Sequence, residues 1–349
     1  MKLADRVAQS RKLLTVQDPA TGRETTLTGA ASCAEDITKC SLRYVLSDDL
    51  TRLCAELAYS KGARNLACAD LLHVPAQALW VEWCHAPFES ALQQYGFPSS
   101  TPGAPVAGRR GALVRSSPSG RRGTVRTFWT VGAGAEVLAS SMEAYFDFDT
   151  SDGEEPGSPD SQTGASIRVY DGDQRSEDVL ARCFRFRYEG SWANYYRSAA
   201  LSPLQHQALT RHVLGTIAID IPILLAFLLL LASRASLPRH PYTFERLNRS
   251  RRKCGRVPLL DHIEVRAPVL PEYLSCSRAD PHGIRRSPRL HHVRGHLVRR
   301  GSQLFWRIPH LRGSVRAGII RTRTVTWTFD DPSARQTTSA LLARTVRVD

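Results

Sequence analysis

Residues 112–131 read ALVRSSPSGRRGTVRTFWTV, and this stretch decides the fold class. An apolar run, a polar turn and a second apolar-aromatic run predict a β-hairpin. Gly120 and Gly123 are expected to supply the unusual backbone angles of its turn. Upstream, the LWVEW of residues 79–83 is aromatic and β-branched and predicts another strand, with its two tryptophans in the core. Downstream, Tyr145-Phe146-Asp147-Phe148-Asp149 alternates apolar and acidic residues. In the FRFRY of residues 184–188, Phe184, Phe186 and Tyr188 fall on one face and Arg185 and Arg187 on the other.

Helical signals interrupt these strands. Ser47 can cap a helix whose first turn carries Asp48 and Asp49, and Leu50, Leu53, Cys54 and Leu57 share one face before Gly62 stops it. Ser202-Pro203 begins a second helix, a cap followed by proline at the first position. It is expected to run over 202–233 as a long apolar central helix, kinked near Pro222. Strands and helices mix without regular βαβ alternation, which makes the class α+β.

At 349 residues the chain is long enough for two compact domains, and 42% hydrophobic content excludes wholesale disorder. The expected organisation is a mixed body over 1–200, with flexible loops near 98–111 and 152–164. The central helix follows, then a basic β-rich module over 234–329 and a flexible tail over 330–349. Gly132-Ala133-Gly134-Ala135 is a turn rather than a dinucleotide loop, because the third glycine and the downstream acid are not in place.

The twenty residues 213–232, VLGTIAIDIPILLAFLLLLA, match a bilayer in length. Asp220 and Pro222 break that run and favour a buried helix. A membrane anchor is therefore the disfavoured reading. No apolar leader opens residues 1–30, and none of the eight cysteines forms a CxxC pair, so free thiols in a cytoplasm are expected, with no structural zinc and no cofactor.

Charge is distributed unevenly. The net charge is +14, yet residues 233–323 hold 21 Arg or Lys against 5 Asp or Glu, a local +16, while the remainder is near neutral. The 42 arginines against 5 lysines fit a GC-rich genome, but codon usage does not explain the local scarcity of acids. A local excess of this size favours an acidic partner: nucleic acid, anionic lipid or an acidic protein surface.

Within that segment, LNRSRRK (247–253) predicts a short basic helix. HHVRGHLVRR (291–300) and LFWRIPHLR (304–312) predict a hairpin turned at Gly301-Ser302-Gln303. RTRTVTWTF (321–329) predicts a third strand, and 275–288 a loop. On one continuous strand His292, Arg294, His296, Val298 and Arg300 would share a face. Three readings stay open. The first is non-enzymatic binding of nucleic acid, with Arg251, Arg252, Arg294, Arg299, Arg300, Arg307 and Arg312 on phosphate and Trp306 stacking. The second is metal-free phosphodiester cleavage with His292, His296 and His310 as acid and base. A metal bound by these and His291 is disfavoured, because neighbouring arginines repel a cation. The third is a solvated basic hairpin that blocks edge pairing, that packs against the chain's own acidic loop at Asp152–Asp160, or that meets another protein.

LNRSRRKCGRVPLLDH (247–262) and RSPRLHHVRGHLVRRGSQLFWRIPHLRG (286–313) resemble a family of uncharacterised proteins of bacteria, phages and prophages. Those share a basic N-x-x-R…G-x-x-P element and an RGH…W…PHxRG hairpin. The resemblance covers 247–329 and carries no activity. It implies a phage-linked setting, where contact with nucleic acid is common.

Overall fold

The computed structural model describes residues 2–59, 71–94, 108–149, 183–199, 202–268 and 289–319, except positions 12, 19–20, 132–135, 234–236, 294–295, 301–302, 308–309 and 313. The loops expected over 152–164 and 275–288, the turn at 132–135, Gly62, the strand over 321–329 and the tail over 330–349 lie outside these residues, as does 98–107 of the loop expected over 98–111, whose last residues, Arg109–Gly111, instead begin a strand.

The chain forms two compact units, Met1–Val269 with His296–Ile308, and Leu270–Gly295 with Pro309–Asp349. In the first, helix α1 (Leu3–Gln9) precedes a ribbon of β1 (Leu14–Gln17) and β2 (Glu24–Leu27). Then come α2 (Ala34–Lys39), β3 (Leu42–Leu46), α3 (Asp48–Tyr59), β4 (Ala78–Cys84), α4 (His85–Gln94), β5 (Arg109–Ser116), β6 (Arg122–Val131), β7 (Glu136–Ala139), β8 (Met142–Asp147) and β9 (Phe184–Tyr188). Three helices follow, α5 (Gly190–Ser198), α6 (Pro203–Ala218) and α7 (Ile221–Ala232), then β10 (Arg239–Tyr242), α8 (Glu245–Lys253) and β11 (His262–Val265). A nine-stranded mixed sheet runs β10-β11-β3-β4-β5-β6-β8-β9, with β7 also on β6. β11, β3 and β4 are parallel and the other pairings antiparallel. The class is α+β with a mixed sheet. β10 and β11, which with α8 the sequence assigns to the start of the basic module, extend the sheet of the body.

Both faces of the sheet are covered, and β4 shows how. Trp80 packs with Leu3, Val7, Ile37, Leu113 and Phe128 under α1 and α2, whereas Leu79, Val81 and Trp83 face the larger core holding α3 and α7. Both tryptophans are fully buried. Glu82 shares the Trp80 face and is itself buried. Its carboxylate accepts hydrogen bonds from Trp80 Nε1 (3.0 Å), the Ala4 and Leu3 amides (2.9 and 3.3 Å) and Arg109 Nε (2.9 Å), which pins α1 to the sheet. Ser47 Oγ accepts from the Leu50 amide at 3.2 Å at the start of α3, as its sequence predicts.

The β5–β6 hairpin forms in register, Ser116 opposite Gly123. Gly120 has φ +69°, and a Cβ there would lie 2.2 Å from the Val74 carbonyl oxygen. Gly123 plays a different part from the one expected. It is a strand residue, required because a Cβ would meet the Arg115 carbonyl oxygen at 2.0 Å.

The expected long apolar central helix is two helices, α6 and α7, separated at Ile219 and Asp220. Pro222 sits in the first turn of α7, where no amide hydrogen is needed. Asp220, 1% exposed, meets Arg110 of β5 in a two-pronged ion pair (2.6 and 2.9 Å), and Arg110 also donates to the Thr216 carbonyl (2.8 Å). The charge that interrupts the apolar run is thus the anchor of the helix break. α6 begins as expected, with Ser202 and Gln205 capping each other. No helix among the described residues is long and apolar enough to cross a membrane.

The strand expected over 291–300 is two, β12 (Arg289–Val293) and β13 (His296–Arg300). β13 pairs with β14 (Gln303–Arg307) in the first unit. In the second, β12 lies between β15 (His310–Arg312) and β16 (Ser314–Ile319).

Candidate functional site

The best-built polar surface of the described chain is the β10–α8–β11 segment. Glu245 lies in the first turn of α8 and Arg251, Arg252 and Lys253 in the last, the arrangement the helix dipole favours. Gly255, at φ +64°, turns the chain back. The Arg256 amide then bonds to the Arg251 carbonyl (2.8 Å) and the Gly255 amide to that of Arg252 (3.0 Å), a Schellman closure. Asn248, 8% exposed, donates from Nδ2 to the Leu259 carbonyl (2.8 Å) and accepts from the Leu259 amide (2.7 Å). Arg251 Nε donates to the Val257 carbonyl (2.8 Å). Asn248, Arg251, Gly255 and Pro258, the N-x-x-R…G-x-x-P element, therefore belong to a self-closed helix and loop. The Leu260 amide ties the loop to Asp5 Oδ1 of α1 (2.8 Å).

With Asn248 turned inward, the opposite side of α8 faces water. Arg246, Arg249 and Lys253, spaced i, i+3 and i+7, form a stripe about 10 Å long, with Arg252 at its flank. Arg246, Arg249, Arg252, Lys253 and Arg256 are all exposed, as is Arg239 of β10. Arg249 pairs with Glu245 at 3.4 Å. Among the described residues no carboxylate pairs with Arg239, Arg246, Arg252, Lys253 or Arg256. Of the six large apolar residues exposed among the described ones, three lie here: Tyr242, Leu247 and Val257. Tyr242 stacks on its cross-strand partner His262 with centroids 5.2 Å apart at 15°, and His262 also meets Phe244 at 5.6 Å. Burial holds the His262 imidazole below its ordinary pKa, so at neutral pH this histidine adds no charge.

The residues singled out in the sequence fare differently. Arg252 is exposed as a binding residue must be. Arg251 is half-buried and bonded to the loop, so its role is to close the fold. Arg300 and Arg307 are exposed on β13 and β14, where Arg300 faces Gln303 and His296 faces Arg307 in register. Arg299 lies opposite Leu304, Trp306 opposite Leu297 and Arg312 opposite His291. Arg294 lies outside the described residues. His292 and His310 belong to the second unit, where they pair with Leu311 and Val293 rather than with each other, and His296 belongs to the first. His292 and His296, read on one face of a continuous strand, thus lie on different strands, and His310, expected on the second strand of the hairpin, is on β15. Sequence reasoning passed over Arg246, Lys253, Arg256 and Tyr242. Their available signal was the absence of any acid between Arg246 and Leu260.

A cleft of about 820 Å³ is bounded by Arg6, Gln9, Arg11, Trp129 and Trp192, with Glu136 its one carboxylate and neither histidine nor cysteine among its described lining. His85, 7% exposed, lies 3.8 Å from Glu89, and burial, reinforced by nearby Arg110, lowers its pKa to about 4, so it is neutral at pH 7. Among the described residues no three His, Cys, Asp or Glu side chains converge to hold a metal. No family model, no curated protein and no solved structure matches this chain.

Proposed function

We propose that this protein binds nucleic acid without catalysis, holding the phosphate backbone against the exposed face of α8. The observation that carries this reading is a capped helix on which Arg246, Arg252 and Lys253, with Arg256 just beyond it, are exposed and have no carboxylate partner among the described residues, Arg249 alone pairing with Glu245. A cation without a partner in the folded chain stays available to one from outside, and each phosphate it contacts releases condensed counterions. The stripe Arg246-Arg249-Lys253 presents charge at regular steps of about 5 Å, which suits a chain of evenly spaced phosphates better than an irregular acidic protein patch. Two further arginines, Arg300 and Arg307, are exposed on the β13–β14 hairpin and form a second candidate contact. The resemblance of 247–329 to phage-linked proteins agrees with the reading by analogy.

The test is fluorescence anisotropy of labelled oligonucleotides titrated with the full chain at two or more salt concentrations. Affinity should fall steeply with salt. The double change Arg252→Ala and Lys253→Ala should reduce the log–log salt slope by about 2 and weaken all sequences alike. If Arg300→Ala with Arg307→Ala weakens binding and the α8 pair does not, the interface is the hairpin and not α8. Binding that is absent, or indifferent to salt, rejects the proposal.

A further inference from the structure

The exposed cations of α8 do not distinguish a duplex from a single strand, since both carry phosphates. The neighbouring ring does. Tyr242 is the most exposed of three aromatic rings, stacked on His262 at 15°, with Phe244 tilted against the same His262 at 35°. Its place is fixed by the ladder, because Tyr242 and His262 are direct cross-strand partners between β10 and β11. It is 39% exposed, whereas His262 beneath it is 8% exposed. β10 is the terminal strand of the sheet, so among the described residues no further strand covers it. Arg239 begins the same strand, and Arg266, held by Glu264 at 2.8 Å, lies beside the Tyr242 phenol. A preorganised, outward aromatic ring with Arg266 beside it and a basic helix starting three residues later is more than phosphate binding requires.

In a duplex the bases are already stacked on one another, and an external ring has nothing to receive. Unstacked bases of a single strand present π-faces, and stacking one on a side chain is tolerant of sequence because every base has such a face. We infer that the β10–α8 surface selects single-stranded nucleic acid, with one base stacked on Tyr242 and the adjoining phosphates on α8. The inference rests on the reading of α8 as a nucleic-acid interface and assigns that interface its substrate class.

The experiment compares a labelled oligothymidylate with a labelled hairpin duplex of equal phosphate number, using the full chain and three variants. The unaltered protein should prefer the oligothymidylate. Tyr242→Ala should weaken that binding by about 5- to 150-fold and leave duplex affinity within about twofold, while Tyr242→Phe, which keeps the ring, should retain the preference. In Tyr242→Trp the added indole should be quenched by oligothymidylate and not by duplex, a readout that a mere loss of stability would not give. If single strand and duplex bind equally, or Tyr242→Ala weakens both alike, the stacking platform is rejected and the phosphate interface survives. If neither probe binds in a salt-sensitive way, the interface itself is rejected.

Discussion

Arg110 and Arg252 carry the same guanidinium in opposite circumstances. Arg110 lies in the middle of the sheet. Both its forks are taken by Asp220 and the Thr216 carbonyl, and its plane lies over the Trp129 ring at 5.7 Å. Arg252 stands on α8 in water, with no described carboxylate against it. Arg109 repeats the first case on Glu82, and Arg246, Lys253 and Arg256 repeat the second. An arginine whose hydrogen bonds end inside the molecule holds the fold together. One whose hydrogen bonds end in water is available to bind. The difference lies in the partner, which net charge does not record.

The comparison is tested most severely at Arg110. Arg110→Met leaves the Asp220 carboxylate buried beside apolar α7 with no countercharge. Removing one member of a buried pair costs about 3–5 kcal/mol, so urea denaturation should show a loss of that size. Replacing both, Arg110→Met with Asp220→Leu, should recover most of it, because no orphaned charge remains. If the single change is tolerated as well as the double, the pair does not anchor the break between α6 and α7.

A second effect of intermediate size concerns His85, which lies close enough to Arg110 to feel its charge. Its folded pKa is about 4 against an ordinary 6.5, with burial the main cause and Arg110 the second. Between those values the unfolded chain binds the proton that the folded chain refuses. Stability is therefore full above pH 6.5 and declines as the pH falls toward 4. From pH 7 to pH 5 this single group should remove about 2 kcal/mol, and His85→Phe should flatten that part of the profile. An unchanged slope in the variant would place the acid sensitivity elsewhere.

How much of this was legible in the sequence follows the same division. Periodicity and capping are local, and the strands at Leu79–Trp83 and in the 112–131 hairpin, the α3 cap at Ser47 and the α6 cap at Ser202 could be read directly. Asp220 was legible as an interruption. Its partner Arg110, 110 positions away, was not, so a break in the helix read only as a kink. The boundary of the basic segment misled for a related reason. Charge composition changes near residue 233, but β11 pairs with β3 by hydrogen bonds that composition does not register. Arg251 and Arg252 are adjacent and chemically identical in sequence. Only the turn at Gly255, which brings the Val257 carbonyl under Arg251, separates a structural arginine from an exposed one. His292 and His296 were read onto one face because alternation was carried across residues 294–295. Pairing in the folded chain assigns His292 and His296 to different strands.

The smallest expected effect completes the contrast with Arg110. Substitution of an exposed side chain away from caps and buried contacts changes stability by less than about 0.5 kcal/mol. Arg252→Ala with Lys253→Ala removes no buried contact and loses only the favourable helix-dipole term, about 0.3–1 kcal/mol per charge at low ionic strength and less in salt, so the urea midpoint should move little even as the salt slope of oligonucleotide binding falls. Arg251→Ala, one residue away, should behave differently. It removes a bond to the Val257 carbonyl, loosens the loop that ends at Leu259, and should raise amide exchange there. Equal stability losses from Arg251 and Arg252 would mean that the exposed cations also hold the fold, and the distinction between the two kinds of arginine would fail on the helix where it matters most.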